Sequence, residues 1–252
     1  MFGDIRDNKT KSFYRLKKVA EGYEKDRFRS KAGRLTDRLH QEAVVSLLNK
    51  GGVVGKKILD LGCGTGRFSR LFSSMGGRVV SVDVSREMLL QARKQRSAEV
   101  YVEGTILSLP FKENAFDLTV SINVLNHLFS YEQAIGEICR VSKKIILGLP
   151  NKHSLLLLAY PYRILKGWGT EYSRFTAKKY EIDSGPYSRY FSLSELKYIL
   201  EKNGFGNIQR QGCWISNVIP GWAVPIVDRI NKIPFPLFKS FGTFFAVAAV
   251  KR

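Results

Sequence analysis

The sequence predicts an α/β fold built on a mostly parallel sheet with helices on both faces. Three observations predict it. Between about residues 57 and 148, apolar runs alternate with helix-like segments five times, and alternating βα units close into a parallel sheet. The first run, Ile58-Leu59-Asp60-Leu61, passes directly into Gly62-Cys63-Gly64-Thr65-Gly66-Arg67, a turn with three alternate glycines. The run at Arg78–Asp83 ends in a second acid, about twenty residues on, where a ribose-binding carboxylate is expected.

The glycine turn identifies a class of ligand. Glycine takes positive φ without penalty and lets a ligand approach bare backbone. Such a loop, between the carboxyl end of a strand and the N-terminus of a helix, is a nucleotide-class site. The dinucleotide fingerprint needs a third glycine where Arg67 stands, and the G-K-[ST] end of a P-loop is absent. D-x-G-x-G-x-G remains, a loop suited to an adenosine without a pyrophosphate.

The elements follow in order. Residues 1–30 mix Phe13, Tyr14, Tyr23 and Phe28 with many charges and read as a short helix and a loop over the cofactor mouth. Leu35, Leu39, Val44, Val45, Leu47 and Leu48 have helical spacing over 34–50, with Gly51-Gly52 as the stop. Strands are expected near 57–61, 78–83, 99–103, 116–121 and 143–148. Helices are expected near 66–75, 86–96 and 131–141, with a short helical piece around 105–109. Ser130-Tyr131-Glu132-Gln133 and Ser192-Leu193-Ser194-Glu195 read as capping boxes, and Gly204 closes the second helix, whose apolar face is Leu193, Leu196, Ile199 and Leu200.

After Pro150 the pattern changes. Leu155 to Leu158 is a helix candidate, followed by Tyr160, Tyr162, Tyr172, Tyr180, Tyr187 and Tyr190. Strands near 207–212 and 243–250 complete the sheet. Between them, Trp214, Pro220, Trp222, Pro225, Pro234 and Pro236 exclude one long helix. The expected organisation is a single domain over 1–252. It comprises a helical N-terminal lid (1–50), a cofactor-binding core (55–150), an aromatic insert (151–190) and a completing segment (191–252).

The residues Ile58–Phe68 and Val79–Met88 resemble the class I S-adenosylmethionine-dependent methyltransferases, in particular the ubiquinone/menaquinone-type group. The likeness continues through Val102-Glu103-Gly104-Thr105, Leu109-Pro110-Phe111, Ala115-Phe116-Asp117 and Ser121-Ile122-Asn123-Val124-Leu125-Asn126-His127. It returns at Tyr190-Phe191-Ser192 to Phe205. It implies a Rossmann-like sheet of seven strands and S-adenosyl-L-methionine as cofactor. It places Asp60, Gly62, Cys63 and Gly64 beneath the cofactor, Asp83 on the ribose, and Val84, Met88, Thr105 and Ile106 around the adenine. Asn123 would face the methionine part, with Tyr23, Arg27 and Arg34 closing over it. The family often carries an acid where Thr105 stands, so the adenine contact there lacks charge assistance. His127 is the candidate general base, against the plainer reading of a histidine satisfied at a helix start. Tyr187 and Tyr190 are candidates for the acceptor pocket, against simple packing. No metal-ligand cluster is expected, and the Asn/Asp-Pro-Pro-Tyr and Pro-Cys motifs of amino-group and cytosine-C5 enzymes are absent.

Composition bounds the partners. The chain has 252 residues and a net charge of +19, a field that attracts polyanions and anionic membranes. Its polar start and three scattered cysteines fit a cytoplasmic protein, at most peripheral to a membrane. The leading expectation is a methyltransferase acting on a small-molecule or lipid-like acceptor. An RNA or ribonucleoprotein methyltransferase and a non-catalytic cofactor-binding protein are the alternatives.

Overall fold

A computed structural model of the chain describes residues 8, 10–48, 51–154, 188–214, 221–233 and 239–252. Seven strands form one sheet: β1 (Lys57–Leu61), β2 (Arg78–Asp83), β3 (Val100–Glu103), β4 (Leu118–Ile122), β5 (Lys144–Pro150), β6 (Phe205–Cys213) and β7 (Phe244–Lys251). Their order is β3-β2-β1-β4-β5-β7-β6. The first five run parallel, and β7 is antiparallel to both of its neighbours. The fold class read from the sequence is therefore the observed one.

The order reverses direction between β1 and β4. In open α/β sheets a crevice lies at that switch point, beyond the carboxyl ends of the strands. β5 ends at Pro150 opposite Phe244, and Phe244 in turn faces Cys213. Chain leaving β6 and entering β7 therefore meets the sheet at that same carboxyl edge.

Successive strand residues point to opposite faces, and two cores result. Leu59, Leu61, Val82, Ile145 and Leu147 pack on one face with helices α5 (Tyr131–Val141) and α6 (Leu193–Lys202). Ile58, Val79, Leu118, Val120 and Ile146 pack on the other with α2 (Lys31–Val45) and α3 (Arg67–Ser74). A third, smaller cluster joins Phe13, Val19 and Ala20 to Met88, linking α1 (Lys17–Phe28) to α4 (Arg86–Lys94). One more helix, α7 (Val224–Lys232), carries Pro225 in its first turn, where proline is tolerated.

Several boundaries differ from expectation for local reasons. α2 begins at Lys31 because the Ser30 hydroxyl accepts from the Gly33 N–H at 2.9 Å, and it ends at Val45, before the glycine pair. Residues 105–109 form a turn, closed by Ser108 N–H donating to the Thr105 carbonyl at 3.3 Å, rather than a helix. α5 starts at Tyr131 as expected, but the Ser130 side chain makes no cap bond. Ser192 does cap α6, accepting from Glu195 N–H at 3.2 Å. Glu195 does not reach back to complete a box; its carboxylate takes Tyr131 Oη at 3.0 Å and Arg189 at 2.7 Å. Gly204, at φ +78, follows the end of α6. The helix expected at Leu155–Leu158 lies outside the described residues, as do Tyr160, Tyr162, Tyr172, Tyr180, Tyr187, Pro220, Pro234 and Pro236.

Candidate cofactor and acceptor site

The glycine turn is held by backbone bonds to the neighbouring strand. Gly62 and Cys63 donate their N–H groups to the Val82 carbonyl at 2.7 and 3.1 Å. Gly64 donates to Asp83 Oδ2 at 2.8 Å, and Ser85 N–H donates to Oδ1 at 2.9 Å. Asp83 thus clamps the loops after β1 and β2 together. Its oxygens take these backbone donors and keep further acceptor capacity, since an ionised carboxylate has about four lone-pair sites. Burial pushes the Asp83 carboxyl up, opposed by the N–H groups of Ser85, Gly64 and Val84.

The glycines differ in what surrounds them. A Cβ on Gly62 would lie 2.3 Å from Val124 Cγ2, and one on Gly66 would lie 2.2 Å from Ser97 Oγ. Gly64, at φ +55, has nothing within 4 Å of that position. So Gly62 and Gly66 are glycine because protein packs against them, whereas Gly64 faces open space.

That space is an open cavity of about 820 Å³, counted out into the solvent at its mouth. Of the residues singled out in the sequence, Gly62, Gly64, Asp83, Val84, Met88, Thr105, Ile106, Asn123, Tyr23 and His127 line it. The Thr105 hydroxyl accepts from Leu107 N–H at 3.3 Å. Asn123 sits at φ +58 just after β4, a conformation uncommon for a residue with a Cβ and one that concentrates at functional sites.

Five other candidates stand elsewhere. Asp60 is buried beneath the loop, where its carboxylate accepts from the Ser69 hydroxyl at 2.5 Å; burial raises its pKa to about 6. Cys63 is buried, and desolvation pushes its thiol well up. The Arg34 guanidinium donates to the Arg29 carbonyl, and Arg27 lies 4.7 Å over the Tyr23 ring. Tyr190 is half-buried away from the cavity lining, and burial raises its phenol. Tyr187 is outside the described residues.

Thr10, Lys11 and Tyr14 also line the cavity, and sequence reasoning did not assign them to the site. The aromatic pair Phe13-Tyr14 was the available signal. Tyr14 reaches His127, with Oη 3.2 Å from Nε2, and Asn126 Nδ2 lies 3.3 Å from the same nitrogen. The Ser85 hydroxyl, which caps α4, donates to the Tyr14 carbonyl at 2.6 Å. Glu24 of α1 accepts from Thr65 Oγ1 at 2.7 Å and Arg70 at 2.8 Å. Burial pushes Glu24 up, but the bonds from Arg70 and Thr65 outweigh it and hold the carboxyl below its ordinary value. The N-terminal helices are therefore fastened to the glycine turn itself.

These residues fit an adenosyl cofactor. Asp83 offers acceptors for two ribose hydroxyls, Gly64 offers backbone without a side chain, and Val84, Met88 and Ile106 offer apolar walls. Among the described residues, no cluster of His, Cys, Asp or Glu could hold a metal ion.

Comparison with known proteins agrees with this geometry. A family model described as a methyltransferase domain matches residues 59–145. An uncharacterized protein of Methanocaldococcus jannaschii is 30% identical over 197 residues, 77% of this chain and 78% of that one. The malonyl-[acyl-carrier protein] O-methyltransferase of Pectobacterium atrosepticum is 39% identical over 89 residues, so the match spans 35% of each protein. Among solved structures, an S-adenosylmethionine-dependent methyltransferase of Thermotoga maritima aligns with a TM-score of 0.66 at 21% identity, covering 95% of this chain and 100% of that one. The magnesium protoporphyrin IX methyltransferase of Synechocystis, solved with S-adenosylhomocysteine, aligns at 0.62 and 18% identity, covering 88% and 86%. The glycine turn and Asp83 lie inside the region that the methyltransferase-domain model matches, and the fold is that of the S-adenosylmethionine-dependent methyltransferases.

Proposed function

We propose that this protein transfers the methyl group of S-adenosyl-L-methionine to a small-molecule or lipid-like acceptor. The observation that carries the reading is one cavity lined both by Asp83 and Gly64 and by the bonded pair Tyr14 and His127. When bound, the cofactor supplies a sulfonium methyl carbon open to in-line displacement. Asp83 accepts from the ribose hydroxyls in charge-assisted bonds, which are the strong kind. Val84, Met88 and Ile106 enclose the adenine, and Thr105 meets its edge without a charge. Asn123 faces the methionine part. Positioning does most of the work, since well-oriented reactants save about 7–11 kcal/mol in favourable cases.

The His127 imidazole takes the proton that leaves the acceptor nucleophile, and the Tyr14 hydroxyl, 3.2 Å from Nε2, orients the ring. Most of the lining surface is apolar, as in small-molecule sites. Malonyl-acyl-carrier-protein and magnesium protoporphyrin IX methyltransferases among the similar proteins favour a small or lipid-like acceptor. The resemblance to the ubiquinone/menaquinone-type group points the same way.

The test is transfer of label from methyl-labelled S-adenosylmethionine, offered with metabolite extracts, lipid extracts and RNA in parallel. Label in a metabolite or lipid fraction is expected, with transfer reduced in Tyr14→Phe and His127→Gln at unchanged cofactor affinity. Label confined to RNA, or none with cofactor bound, refutes the acceptor assignment.

A further inference from the structure

Helix α7 presents two unlike faces. Val224 and Val227 pack on the core. Asn231 is buried and pins the helix to the chain just beyond β6: its Oδ1 accepts from Trp214 N–H, and its Nδ2 donates to the Trp214 carbonyl, both at 2.8 Å. Asp228 ties the helix to α2 through Arg38 at 2.6 Å. The helix is thus held in one orientation.

Its outward face mixes apolar and cationic side chains, and it runs on into Trp222, in the helical turn Gly221–Ala223 before it, and Ile233, just past its end. Trp222 is 75% exposed, Ile226 52% and Ile233 45%. With Pro225, Arg229 and Lys232, which are also exposed, they recur at the three- and four-residue spacing that puts side chains on one side of a helix. Isolated apolar residues on a surface need no explanation, but a rigid stripe of them does.

Charge indicates the occupant. Between Trp214 and Phe241 the sequence holds Arg229, Lys232 and Lys239 against the single acid Asp228, and Asp228 is engaged by Arg38 and Lys232. The chain as a whole carries +19. An apolar stripe with tryptophan at one end and cations interleaved is the composition of a helix lying in a lipid interface. A nucleic-acid surface would place aromatic rings where this face has isoleucines, because bases stack on rings. The stretch between β6 and β7 also meets the sheet at the carboxyl edge, the edge where the cavity lies.

We propose that the outward face of α7 is a docking surface for an anionic phospholipid bilayer. Trp222, Ile226 and Ile233 enter the interfacial layer, and Arg229 and Lys232 meet headgroup phosphates. The surface is independent of the cofactor assignment, because none of these residues lines the cavity.

The experiment is co-sedimentation of the full chain with vesicles of phosphatidylcholine mixed with phosphatidylglycerol, and with phosphatidylcholine alone. Binding to the mixed vesicles is expected, weakening with added salt. Ile226→Asp is expected to lower the partition coefficient about ten-fold or more, and Trp222→Ala by a smaller factor. Both variants are expected to keep the wild-type melting temperature and S-adenosylmethionine affinity, since neither residue packs in the core. Absence of binding to mixed vesicles, or equal binding by Ile226→Asp and wild type, overturns the proposal. So does a concentration-dependent dimer that Trp222→Ala dissociates while vesicles are ignored, which would assign the face to a second copy. Loss of cofactor affinity in wild type together with intact vesicle binding would count against the cofactor reading alone.

Discussion

Two parts of the cavity lining are built differently. On the β1–β2 side, Gly62, Cys63, Gly64 and Asp83 are joined by main-chain N–H bonds between segments that are neighbours in sequence. Elsewhere in the lining, Tyr14 and His127 are 113 positions apart and meet through side chains alone. A site made of backbone is preorganised by the fold. A site made of side chains from distant elements can change while the fold stays. The first arrangement suits a ligand shared across a family, and the second suits an acceptor that differs among its members.

Removing the clamp between the loops has the largest expected effect. Asp83→Ala deletes the proposed ribose acceptors together with the bonds from Gly64 and Ser85. Two hydrogen bonds to a charged group, at about 1.5–3 kcal/mol each, predict a loss of S-adenosylmethionine affinity of at least about 100-fold by calorimetry. An unchanged affinity would show that the backbone side of the cavity does not hold the cofactor. Affinity is also expected to fall on acidification, because a protonated Asp83 offers fewer acceptors.

The two glycines sharpen the comparison. Both take positive φ, so alanine strains either by about 1–2 kcal/mol. Only Gly62→Ala also drives a methyl into Val124. It is expected to lower the melting temperature more, with part of the loss recovered in Gly62→Ala/Val124→Ala. Gly64→Ala is expected to spare the fold by comparison and weaken cofactor binding, because its methyl enters the cavity. Equal melting temperatures for the two single variants would contradict this division.

Glu24 ties α1 to the glycine turn. Glu24→Gln removes the charge opposite Arg70, in a pair about one-third exposed, so the stability change is expected below about 1 kcal/mol. Cofactor affinity should weaken a few-fold as α1 loosens from Thr65. A melting temperature and affinity both identical to wild type would show that the latch contributes nothing.

Away from the cavity, two buried groups push the pH dependence of stability in opposite directions. Both His40 ring nitrogens are buried with no hydrogen-bond partner among the described residues. Burial, with Arg67 and Arg27 nearby, holds the imidazole well below its ordinary value. Below about pH 6.5 the unfolded chain gains a proton there that the folded chain does not, so stability falls with acid. Asp60, with a folded pKa of about 6, binds its proton more tightly folded than unfolded, so it removes stability as pH rises from about 4 to about 6. His40→Leu is expected to flatten the acid-side loss of melting temperature, and Asp60→Asn to steepen it. Parallel curves for all three proteins would refute both assignments.

The glycine turn, Asp83 and all seven strands were legible in the sequence because each states a local requirement: positive φ, an acid at a strand end, an apolar run of strand length. Neighbours within the same motif were not equally legible. Asp60 lies two residues before Gly62, yet it turns to Ser69, which in turn bonds Ser81, on the covered face. Arg34 has the charge to meet a carboxylate, but its helix directs it to the Arg29 carbonyl. The Ser130 box had the right residues, and its serine, at ψ 41 rather than extended, makes no cap bond.

The sequence by itself determined where backbone would be bare, where strands would end, and hence that a ligand would meet the sheet at its carboxyl edge. Those features depend on φ, ψ and alternation, which a residue and its neighbours decide. Only the tertiary structure decided that Tyr14 would stand against His127, that Glu24 would latch onto the glycine turn, and that α7 would turn Trp222 and Ile226 outward. Those placements depend on which faces pack together, and no local spacing encodes a contact between elements a hundred residues apart.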